Sequence, residues 1–303
     1  MLRRLEFHAM GCEMLAVLES NVLSQTLPCV TQWFEEWEQV LSRFRYNSEL
    51  TRLNQTFERP VPVSQVLWDV FQVAQEAEEK TNGLVTPTVL NAMIQAGYDR
   101  TFDELPYFTT TLPDTPETTA APLISIPFDE ADRTISLPRG LGLDFGGVAK
   151  GWAAHQAMKR LQVEGPALVD AAGDIAISGP RAGGSPWQIG VADPFHKGEE
   201  IETLFLNQCG VATSGKDRRR WTRDGVFQHH IIDPFTNRPA ETDVLTVTVV
   251  APDVMQAETA AKAAFIQGSH AGLEWIEARP EFAALFILED GRMIYSQNMD
   301  EYL

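Results

Sequence analysis

Apolar residues recur at two spacings along this chain, and each spacing predicts a different kind of element. From residue 27 to 44, and again from 64 to 80, they return every three or four positions, which is typical of one face of a helix. Two further helices are predicted at 148–161 and 254–266. Gly83 lies just beyond the second stretch, and we expect it to end that helix as the C-cap.

Shorter apolar runs predict β-strands. Residues 3–19 alternate imperfectly between apolar and polar positions on either side of Gly11, a pattern typical of a hairpin. Six later runs are interpreted as strands: 134–137, 167–169, 175–177, 187–192, 203–205 and 245–250. Because these strands and helices do not alternate regularly, their order favours an α+β fold over a doubly wound sheet.

The stretch from residue 100 to 125 differs in composition from its surroundings. It is rich in threonine and proline, which predicts a long, flexible surface loop and the clearest boundary inside the chain. The total length of 303 residues is compatible with two domain-sized units or with one large intertwined domain.

The net charge excludes two classes of partner. The chain holds 24 basic and 42 acidic residues, so its formal charge is −18. Nucleic acids and anionic membranes both select cationic surfaces, and we therefore expect neither as a partner. Hydrophobic residues make up 44% of the chain, which is ordinary for a folded protein with a buried core.

The first residues and the cysteines indicate a compartment. Arg3, Arg4 and Glu6 interrupt any apolar run that would serve as a secretory signal. The cysteines are three, an odd number, and widely spaced, which argues against a disulfide framework. The sequence therefore predicts a cytoplasmic protein.

A first candidate site lies at residues 143–151, where a strand end, the pair Gly146-Gly147 and a helix start follow one another closely. The first turn of a helix offers free N–H groups to an anion, and Lys150 is placed to reach a phosphate. The alternative interpretation is a plain strand-to-helix turn anchored by Asp144, with Lys150 paired to that carboxylate.

A second candidate is the acidic turn at 170–174. Carboxylates on both sides of Gly173 suit a ribose hydroxyl, a ring nitrogen or a cation. The alternative is an Asx turn in which a side-chain oxygen bonds the backbone.

A third candidate follows the residues Thr213-Ser214-Gly215. Four of the next five residues, 216–220, are cations, which stand out in an acidic chain. Arginine binds phosphate in a bidentate manner, so the segment suits a phosphate-bearing ligand. A solvated basic loop is the alternative.

The fourth candidate is the pair His229-His230, three residues before Asp233 and a proline turn. Histidine exchanges a proton near neutral pH, which makes His230 the candidate general base. Adjacent strand residues face opposite ways, so we expect one histidine of the pair to point into a site.

The fifth candidate is the pair Glu258 and Lys262 on the last predicted helix. Their spacing of four residues is that of an ordinary helix-surface ion pair. The functional interpretation places them beside a metal or a phosphate near the start of the helix.

In their order and spacing, these motifs resemble the ApbE family of FAD:protein FMN transferases. The resemblance runs from Met10 to about Gly268. Its landmarks are Met10-Gly11, Ser42-Arg43-Phe44 with Ser48-Glu49-Leu50 and Leu53-Asn54, Gly83 with Thr86-Pro87-Thr88, the stretch 144–151, Gly173-Asp174, Thr213-Ser214-Gly215, and 230–234. Seven landmarks in one order make a chance match improbable.

The resemblance implies both a fold and a reaction. The fold is one ApbE-like domain over residues 1–303, with two intertwined α/β lobes and T-fold-like, mainly antiparallel sheets packed by helices. The reaction takes FAD as substrate, uses Mg²⁺ at its pyrophosphate, passes FMN to a threonine or serine of an acceptor protein with an FMN-binding-type domain, and releases AMP.

The resemblance also implies roles for individual residues. His230 serves as the base, the carbonyl of Gly147 faces the metal, and Glu258 and Lys262 occupy the positions of the helical metal motif. The FAD site is formed by Met10, Phe44, Gly83, Leu84, Val85, Asp144, Lys150, Asp174, Ser214, Ile232 and Asp233.

Three departures from the family pattern bear on metal use. The usual Ala-Asp-x-x-x-Thr is Ala257-Glu258-x-x-x-Lys262 here, and a protonated lysine offers donors but no acceptor, so its charge can stand in place of a cation. Leu84-Val85 replaces Phe-Asp, and Phe44 replaces a tyrosine. Two alternatives therefore stay open, namely a non-catalytic FAD-binding protein and an FAD pyrophosphatase.

Overall fold

A computed structural model of the chain describes residues 1–105, the backbone of 108–109, and residues 120–303. Residues 106–107 and 110–119 of the loop predicted at 100–125 therefore lie outside the described residues. Its described ends carry two short 3₁₀ helices, Phe102–Glu104 and Leu123–Ser125.

The helices and strands are numbered here in chain order. The helices are α1 Val30–Leu41, α2 Glu49–Asn54, α3 Gln65–Lys80, α4 Leu90–Gln95, α5 Ala149–Leu161 and α6 Val254–Glu277. The strands are β1 Leu2–Ala9, β2 Cys12–Glu19, β3 Val61–Pro62, β4 Phe108–Thr109, β5 Phe128–Asp129, β6 Thr134–Ile135, β7 Ala167–Ala171, β8 Asp174–Ile177, β9 Trp187–Ala192, β10 Glu200–Leu206, β11 Gly210–Gly215, β12 Arg220–Arg223, β13 Val226–His229, β14 Ile232–Asp233, β15 Arg238–Pro239, β16 Val244–Ala251, β17 Ala283–Leu288 and β18 Met293–Tyr295.

The described residues divide into two compact units, each assembled from separate parts of the chain. The first unit holds Met1–Phe34, Lys150–Asp217 and Thr242–Leu303. The second unit holds Glu35–Ala149 and Arg218–Glu241.

An eight-stranded sheet is the frame of the first unit. Its strand order is β1-β2-β7-β8-β11-β16-β17-β18, and every neighbouring pair is antiparallel. Strands β16 and β17 are buried at every residue, as expected for apolar runs covered on both faces. The long helix α6 contacts β11 and β16, so it covers the middle of this sheet.

The helix α6 is longer than the sequence predicts. The predicted end near residue 266 lies two residues before Gly268, where the backbone leaves the helical region at φ +83°. Asp243 accepts a hydrogen bond from the backbone N–H of Ser269 at 2.9 Å and so restarts the helix, which continues to Glu277. The glycine therefore marks a kink between two helical segments, and the helix ends a further nine residues on.

The second unit is built on helices and short sheets. The face of α3 predicted to be apolar is buried, including Leu67, Val70 and Phe71. The sheets are β3-β6-β5, β13-β12-β4 and β14-β15, and among these the pair β12–β4 is parallel. The predicted helix at 27–44 ends at Leu41, so Phe44 lies beyond it.

The predicted role of Gly83 as C-cap is wrong by two positions. Helix α3 is capped by Thr81, and Asn82 takes the left-handed conformation at φ +51°. The N–H of Gly83 then donates to the carbonyl of Glu78 at 2.8 Å, which is the outer bond of a Schellman motif. Asparagine tolerates the left-handed conformation, so Asn82 ends the helix before the chain reaches Gly83.

The fold class predicted from the sequence is confirmed. Helices and mainly antiparallel sheets occur together without βαβ alternation, as an α+β fold requires. The elements that the sequence reasoning missed include α2, α4, β11 and β17. Among the described residues, no helix is both long enough and apolar enough to cross a membrane.

The close approach of α6 to β11 gives a test of this packing. A methyl group at Gly210 would overlap the backbone of Asp253 and Val254, where α6 begins. We expect Gly210→Ala to lower the free energy of unfolding by about 1–3 kcal/mol or more, because neither backbone can move without disturbing the sheet. Urea denaturation measures the change.

Gly179→Ala is the matched control, since a Cβ at Gly179 meets nothing within 4 Å and its φ is not positive. Equal stabilities of the two alanine variants would contradict the packing described for α6.

Candidate functional site

Four charged side chains meet inside the first unit. Lys150 comes from the first turn of α5, Asp174 from the start of β8, and Glu258 and Lys262 from successive turns of α6. These four residues are called the Glu258 cluster below. Its carboxylates are almost completely buried, with 1% of the Glu258 side chain and 3% of the Asp174 side chain exposed.

Glu258 is the centre of this cluster. Its Oε1 accepts from the ammonium of Lys262 at 3.0 Å and lies 3.4 Å from the ammonium of Lys150. Its Oε2 accepts from the backbone N–H of Gly151 at 2.9 Å. That N–H belongs to the first turn of α5, so Glu258 occupies a helix N-terminus that would otherwise be open to an anion.

Lys150 is the second cation of the cluster. Its ammonium forms an ion pair with Asp174, in addition to its contact with Glu258. The sequence left open whether Lys150 binds a phosphate or pairs with Asp144, and within its own unit it is paired with two other carboxylates. Gly151 is required beside it, because a Cβ there would lie 2.7 Å from Glu258 Oε2 and 3.2 Å from the carbonyl of Val254.

The two carboxyl groups of the cluster titrate differently. Burial, and then the charge of Glu258, raise the pKa of Asp174 to about 7 against the pull of Lys150 and Lys262. Burial also acts to raise the pKa of Glu258, but Lys262 and Lys150 outweigh it and hold this pKa below its ordinary value. Glu258 is therefore the permanent carboxylate and Asp174 the group that takes up a proton near neutral pH.

The sheet register brings further predicted residues to the end where Asp174 lies. Met14 pairs with Ala171, which puts the β1–β2 turn and the β7–β8 turn at the same end of the sheet. Val211 pairs with Ile175 in the neighbouring strand, so Ser214 extends past the start of β8 at this end as well. Met10, Asp174 and Ser214 thus share one edge of the first unit.

Both turns at this edge hold a non-glycine residue in the left-handed conformation. Met10 has φ +51° and Gly11 has φ +67°, as a two-residue type I′ hairpin needs. Ala172 has φ +60° beside Gly173, and Asp170 accepts from the N–H of Gly173 at 2.6 Å. A side-chain-to-backbone bond of the kind considered for this segment is therefore present, but it spans three residues, whereas an Asx turn spans two.

The basic segment after Ser214 is organised differently from a free loop. Thr213 and Ser214 belong to strand β11, and Ser214 is buried. Lys216 donates to the carbonyl of Thr242 at 2.5 Å and pairs with Glu289 at 2.9 Å. The phosphate-binding interpretation of this segment therefore loses Lys216, which has a structural role.

The second unit contains a separate cluster around Arg43. Its Nε lies 2.5 Å from Oδ2 of Asp144, and its Nη2 donates to the carbonyl of Tyr98 at 2.8 Å. The guanidinium also lies over the rings of Phe44 and Tyr98, with 4.0 and 4.8 Å to their centroids. The predicted residues Phe44 and Asp144 are thus joined by Arg43. This arginine belongs to a landmark of the family resemblance, but the sequence indicated no role for it.

The remaining members of this group lie around the same aromatic side chains. Ile232 packs in the apolar cluster of Tyr98 and Trp221, with Phe44 at its border. The indole of Trp221 donates to the carbonyl of Ala96 at 2.8 Å, and its ring lies 5.5 Å from that of Tyr98. Tyr98 lies in no motif, and Trp221 ends the basic segment that was interpreted for its cations, so the sequence indicated no role for either ring.

The turns that carry the other predicted residues are well defined. Gly83 faces the ring of Phe235, Leu84 is half-buried, and the buried Val85 donates its N–H to the hydroxyl of Thr81 at 3.0 Å. Asp233 accepts from the N–H of Phe235 at 2.9 Å. Gly147 lies half-buried in the turn before α5, where Gly146 donates to Asp144 Oδ1 at 2.7 Å.

The two histidines at the end of β13 have different surroundings. His229 is buried, its Nε2 lies 3.0 Å from the carbonyl of Ala240, and its Nδ1 accepts from the N–H of Ile231 at 3.3 Å. These partners assign the neutral tautomer with the proton on Nε2. His230, the predicted base, is half-buried and follows the strand directly.

One further group of possible metal ligands lies apart from these clusters. Within the described ranges, Asp193, His196 and Glu199 are the one set of three such side chains whose ligand atoms lie within 4.8 Å of one another. They occupy the connection between β9 and β10, and His196 and Glu199 are exposed. Nothing else at this connection points to a bound ion.

Comparison with known proteins places the chain among flavin-related proteins. A family model described as "ApbE family" matches residues 10–286. A Treponema pallidum protein named FAD:protein FMN transferase is 32% identical over 285 residues, covering 86% of this chain and 76% of the relative. A Salmonella typhimurium protein of the same name is 27% identical and covers 85% of this chain and 74% of its own length.

Solved structures agree with the fold. The ApbE protein from Thermotoga maritima superposes with a TM-score of 0.89 at 25% identity, over 100% of this chain and 99% of that one. The flavin transferase ApbE from Vibrio cholerae gives a TM-score of 0.82 at 24% identity, with the same coverage.

The buried pair of Arg43 and Asp144 yields a stability prediction. We expect Arg43→Met to lower the free energy of unfolding by about 3–5 kcal/mol, because it leaves the buried carboxylate of Asp144 without its cation. Thermal and urea unfolding measure the loss. Arg139→Met is the control, since Arg139 pairs with Glu58 on the surface with 77% and 59% of the side chains exposed. A similar loss in both variants would contradict a special role for Arg43.

The raised pKa of Asp174 predicts a pH dependence. A folded-state pKa above the unfolded value, which is about 3.9, means that the folded protein holds an extra proton between these two values. This contribution to stability is complete at low pH and is lost as the pH rises through about 7. We therefore expect the free energy of unfolding of the wild type, minus that of Asp174→Asn, to fall from pH 4 to pH 7.

The slope of this difference should be no more than about 1.4 kcal/mol per pH unit. Subtracting the variant cancels the titration of all other groups. A difference that rises with pH over the same range would mean that Lys150 dominates the pKa of Asp174 and that our assignment is wrong.

Proposed function

Because the chain belongs to the ApbE family, we propose that it is an FAD:protein FMN transferase, which moves FMN from FAD to a threonine or serine hydroxyl of an acceptor protein. One observation carries the proposal. The family model spans residues 10–286, a range that contains every candidate residue from Met10 to Lys262. The relatives named for this activity match over the same part of the chain.

The proposed reaction is a substitution at the FMN-side phosphorus of FAD. The acceptor oxygen forms a new P–O bond, the bond from this phosphorus to the bridging oxygen breaks, and AMP leaves with the bridging oxygen. The hydroxyl proton goes to the imidazole of His230, which acts as general base in its neutral form. The acceptor is proposed to carry an FMN-binding-type domain that presents the hydroxyl.

Each unit holds candidate residues that are proposed to suit parts of FAD. In the second unit, the half-buried ring of Phe44, whose plane is tilted by 55° from that of the buried Tyr98, suits stacking by an aromatic ring of the substrate. Arg43 supports this surface from behind through its contacts with Phe44 and Asp144. In the first unit, the edge that holds Met10, Asp174 and Ser214 lies next to the cationic side chains of the Glu258 cluster.

The residues of this chain do not fit a resident Mg²⁺ at the helical motif. Mg²⁺ requires oxygen ligands in a near-octahedral arrangement. The oxygens of Glu258 accept from Lys262 and Gly151, Asp174 pairs with Lys150, and lysine offers no acceptor to a metal. We therefore assign no step of the reaction to a metal at Glu258. The cytoplasmic location also remains a prediction.

Three functions are separated by one assay with FAD and an FMN-binding acceptor domain. Covalent flavin fluorescence on the denatured acceptor, with release of AMP in equal amount, supports the transferase. Free FMN and AMP without acceptor labelling would instead identify an FAD pyrophosphatase. Bound and intact FAD would identify a binding protein, and the transferase proposal would then be wrong.

His230 gives the mutational test of the mechanism. We expect His230→Ala to slow FMN transfer by at least about 100-fold, because a general base typically contributes a factor of that size. The FAD affinity, measured by flavin fluorescence, should stay close to that of the wild type. His270→Ala is the control, since His270 is 90% exposed on α6 and should leave transfer unchanged.

A large loss of FAD affinity in His230→Ala would show that this histidine holds the substrate or the fold. Transfer at the wild-type rate would exclude it as the base.

A further inference from the structure

The Glu258 cluster contains its own cations at the position where the family resemblance places a metal. We propose that the ammonium groups of Lys262 and Lys150 replace a divalent cation in this chain, so that a pyrophosphate-bearing substrate binds and reacts without metal. That this substrate is FAD rests on the function proposed above. The inference about the two lysines rests on the contacts of the cluster itself.

Three donors within the protein already surround the carboxylate of Glu258. Its two oxygens accept from two different donors, the Lys262 ammonium and the Gly151 N–H, and a second ammonium lies within 3.4 Å. A metal bound to Glu258 would have to displace Lys262 or the start of α5. Both displacements leave a buried donor or a buried charge without compensation, which is costly.

The cluster balances its own charge. Two ammonium groups face two carboxylates, so the cluster is already neutral when all four groups are ionised. A divalent cation would add two charges to a nearly buried neutral cluster, which is unfavourable in a medium that screens poorly. The raised pKa of Asp174 acts in the same direction, because a proton on that carboxyl leaves an excess of positive charge.

The carboxylates and the lysines of the cluster differ in how much of each side chain is exposed. The carboxylates of Glu258 and Asp174 are 1% and 3% exposed, whereas the side chains of Lys262 and Lys150 are 16% and 18% exposed. The accessible part of the cluster therefore belongs to its two lysine side chains. An ammonium has three N–H donors, and the bond from Lys262 to Glu258 uses one of them. A phosphate oxygen of the substrate is the acceptor that this geometry fits.

The two departures at 258 and 262 compensate each other. Glutamate is one methylene longer than aspartate, which lets it reach both the Gly151 N–H and the Lys262 ammonium. Lysine in turn supplies the charge that keeps this buried carboxylate ionised. Glu258 and Lys262 therefore depend on each other. Glu258→Asp alone or Lys262→Thr alone should disturb the cluster more than the double variant does.

Metal binding is tested directly with Mn²⁺, whose electron paramagnetic resonance signal changes when the ion is bound. We expect the wild type and Glu258→Gln to bind the same amount of Mn²⁺, because Glu258 holds no metal. The double variant Glu258→Asp with Lys262→Thr should bind one additional ion, because it removes the ammonium and adds a hydroxyl oxygen.

Any Mn²⁺ at Asp193, His196 and Glu199 is common to all three proteins and cancels in this comparison. The measurement needs no catalytic activity and no FAD. The measurement on the wild type also does not depend on whether any variant folds.

Substrate binding is tested by titrating FAD in excess EDTA and in excess Mg²⁺. The wild-type Kd should agree between the two conditions to within about twofold, which is less than 0.5 kcal/mol. Lys262→Met should weaken FAD binding in EDTA by at least about tenfold, or 1.4 kcal/mol. Lys262→Arg keeps the charge and should restore most of the affinity.

Lys80→Met is the matched control for Lys262→Met. Lys80 pairs with Glu76 at the same spacing of four residues, but this pair is exposed on α3. Circular dichroism confirms that each variant is folded before its affinity is compared.

Two results together would overturn the inference, namely a Mn²⁺ ion lost on Glu258→Gln and a wild-type FAD affinity that rises tenfold or more with Mg²⁺. Where the two assays disagree, the Mn²⁺ comparison decides. Absence of FAD binding under both conditions would refute the proposed function instead, and the Mn²⁺ comparison would still decide the role of the lysines.

Discussion

The buried carboxylate of Glu258 is the constraint on which the first unit depends. It connects the first turn of α5, through Gly151, to Lys262 one turn along α6, and it approaches Lys150 as well. A buried charge is tolerated only when such partners surround it. Gly151 is required for the same reason, because any side chain there would collide with the carboxylate. A single side chain thus sets how closely two helices approach and where two cations lie.

The second unit solves a related problem with an arginine. Arg43 forms an ion pair with Asp144, donates to the carbonyl of Tyr98 and lies over two aromatic rings. A guanidinium suits this arrangement because it is planar and can bond at its edge while it stacks on its face. In each unit, therefore, the charged candidate residues are organised by contacts within that unit. Such preorganisation lowers the ordering cost when an anionic substrate binds.

The parts of the fold that were predictable are those with a long, regular pattern. The buried face of α3 and the β1–β2 hairpin follow directly from the spacing of their apolar residues. Short elements escaped because α2 and α4 have only six residues each, too few for a periodic signal. The segment at 213–215 was interpreted by its polar composition, yet it completes the buried strand β11, whose partners lie far away in sequence. The C-cap of α3 was predicted wrongly at Gly83, because Asn82 already takes the left-handed conformation one residue earlier.

By itself the sequence determined the α+β class, the family, and the presence of glutamate and lysine at positions 258 and 262. These conclusions depend on the order and identity of residues, which a chain carries before it folds. Only the tertiary structure decided which charges pair. The sequence left Lys150 between a phosphate and Asp144, whereas folding pairs it with Asp174 and Glu258, the latter 108 residues away. It also separated His229, bonded to backbone, from His230. Pairing depends on distance and burial, and for residues this far apart neither quantity is defined until the chain has folded.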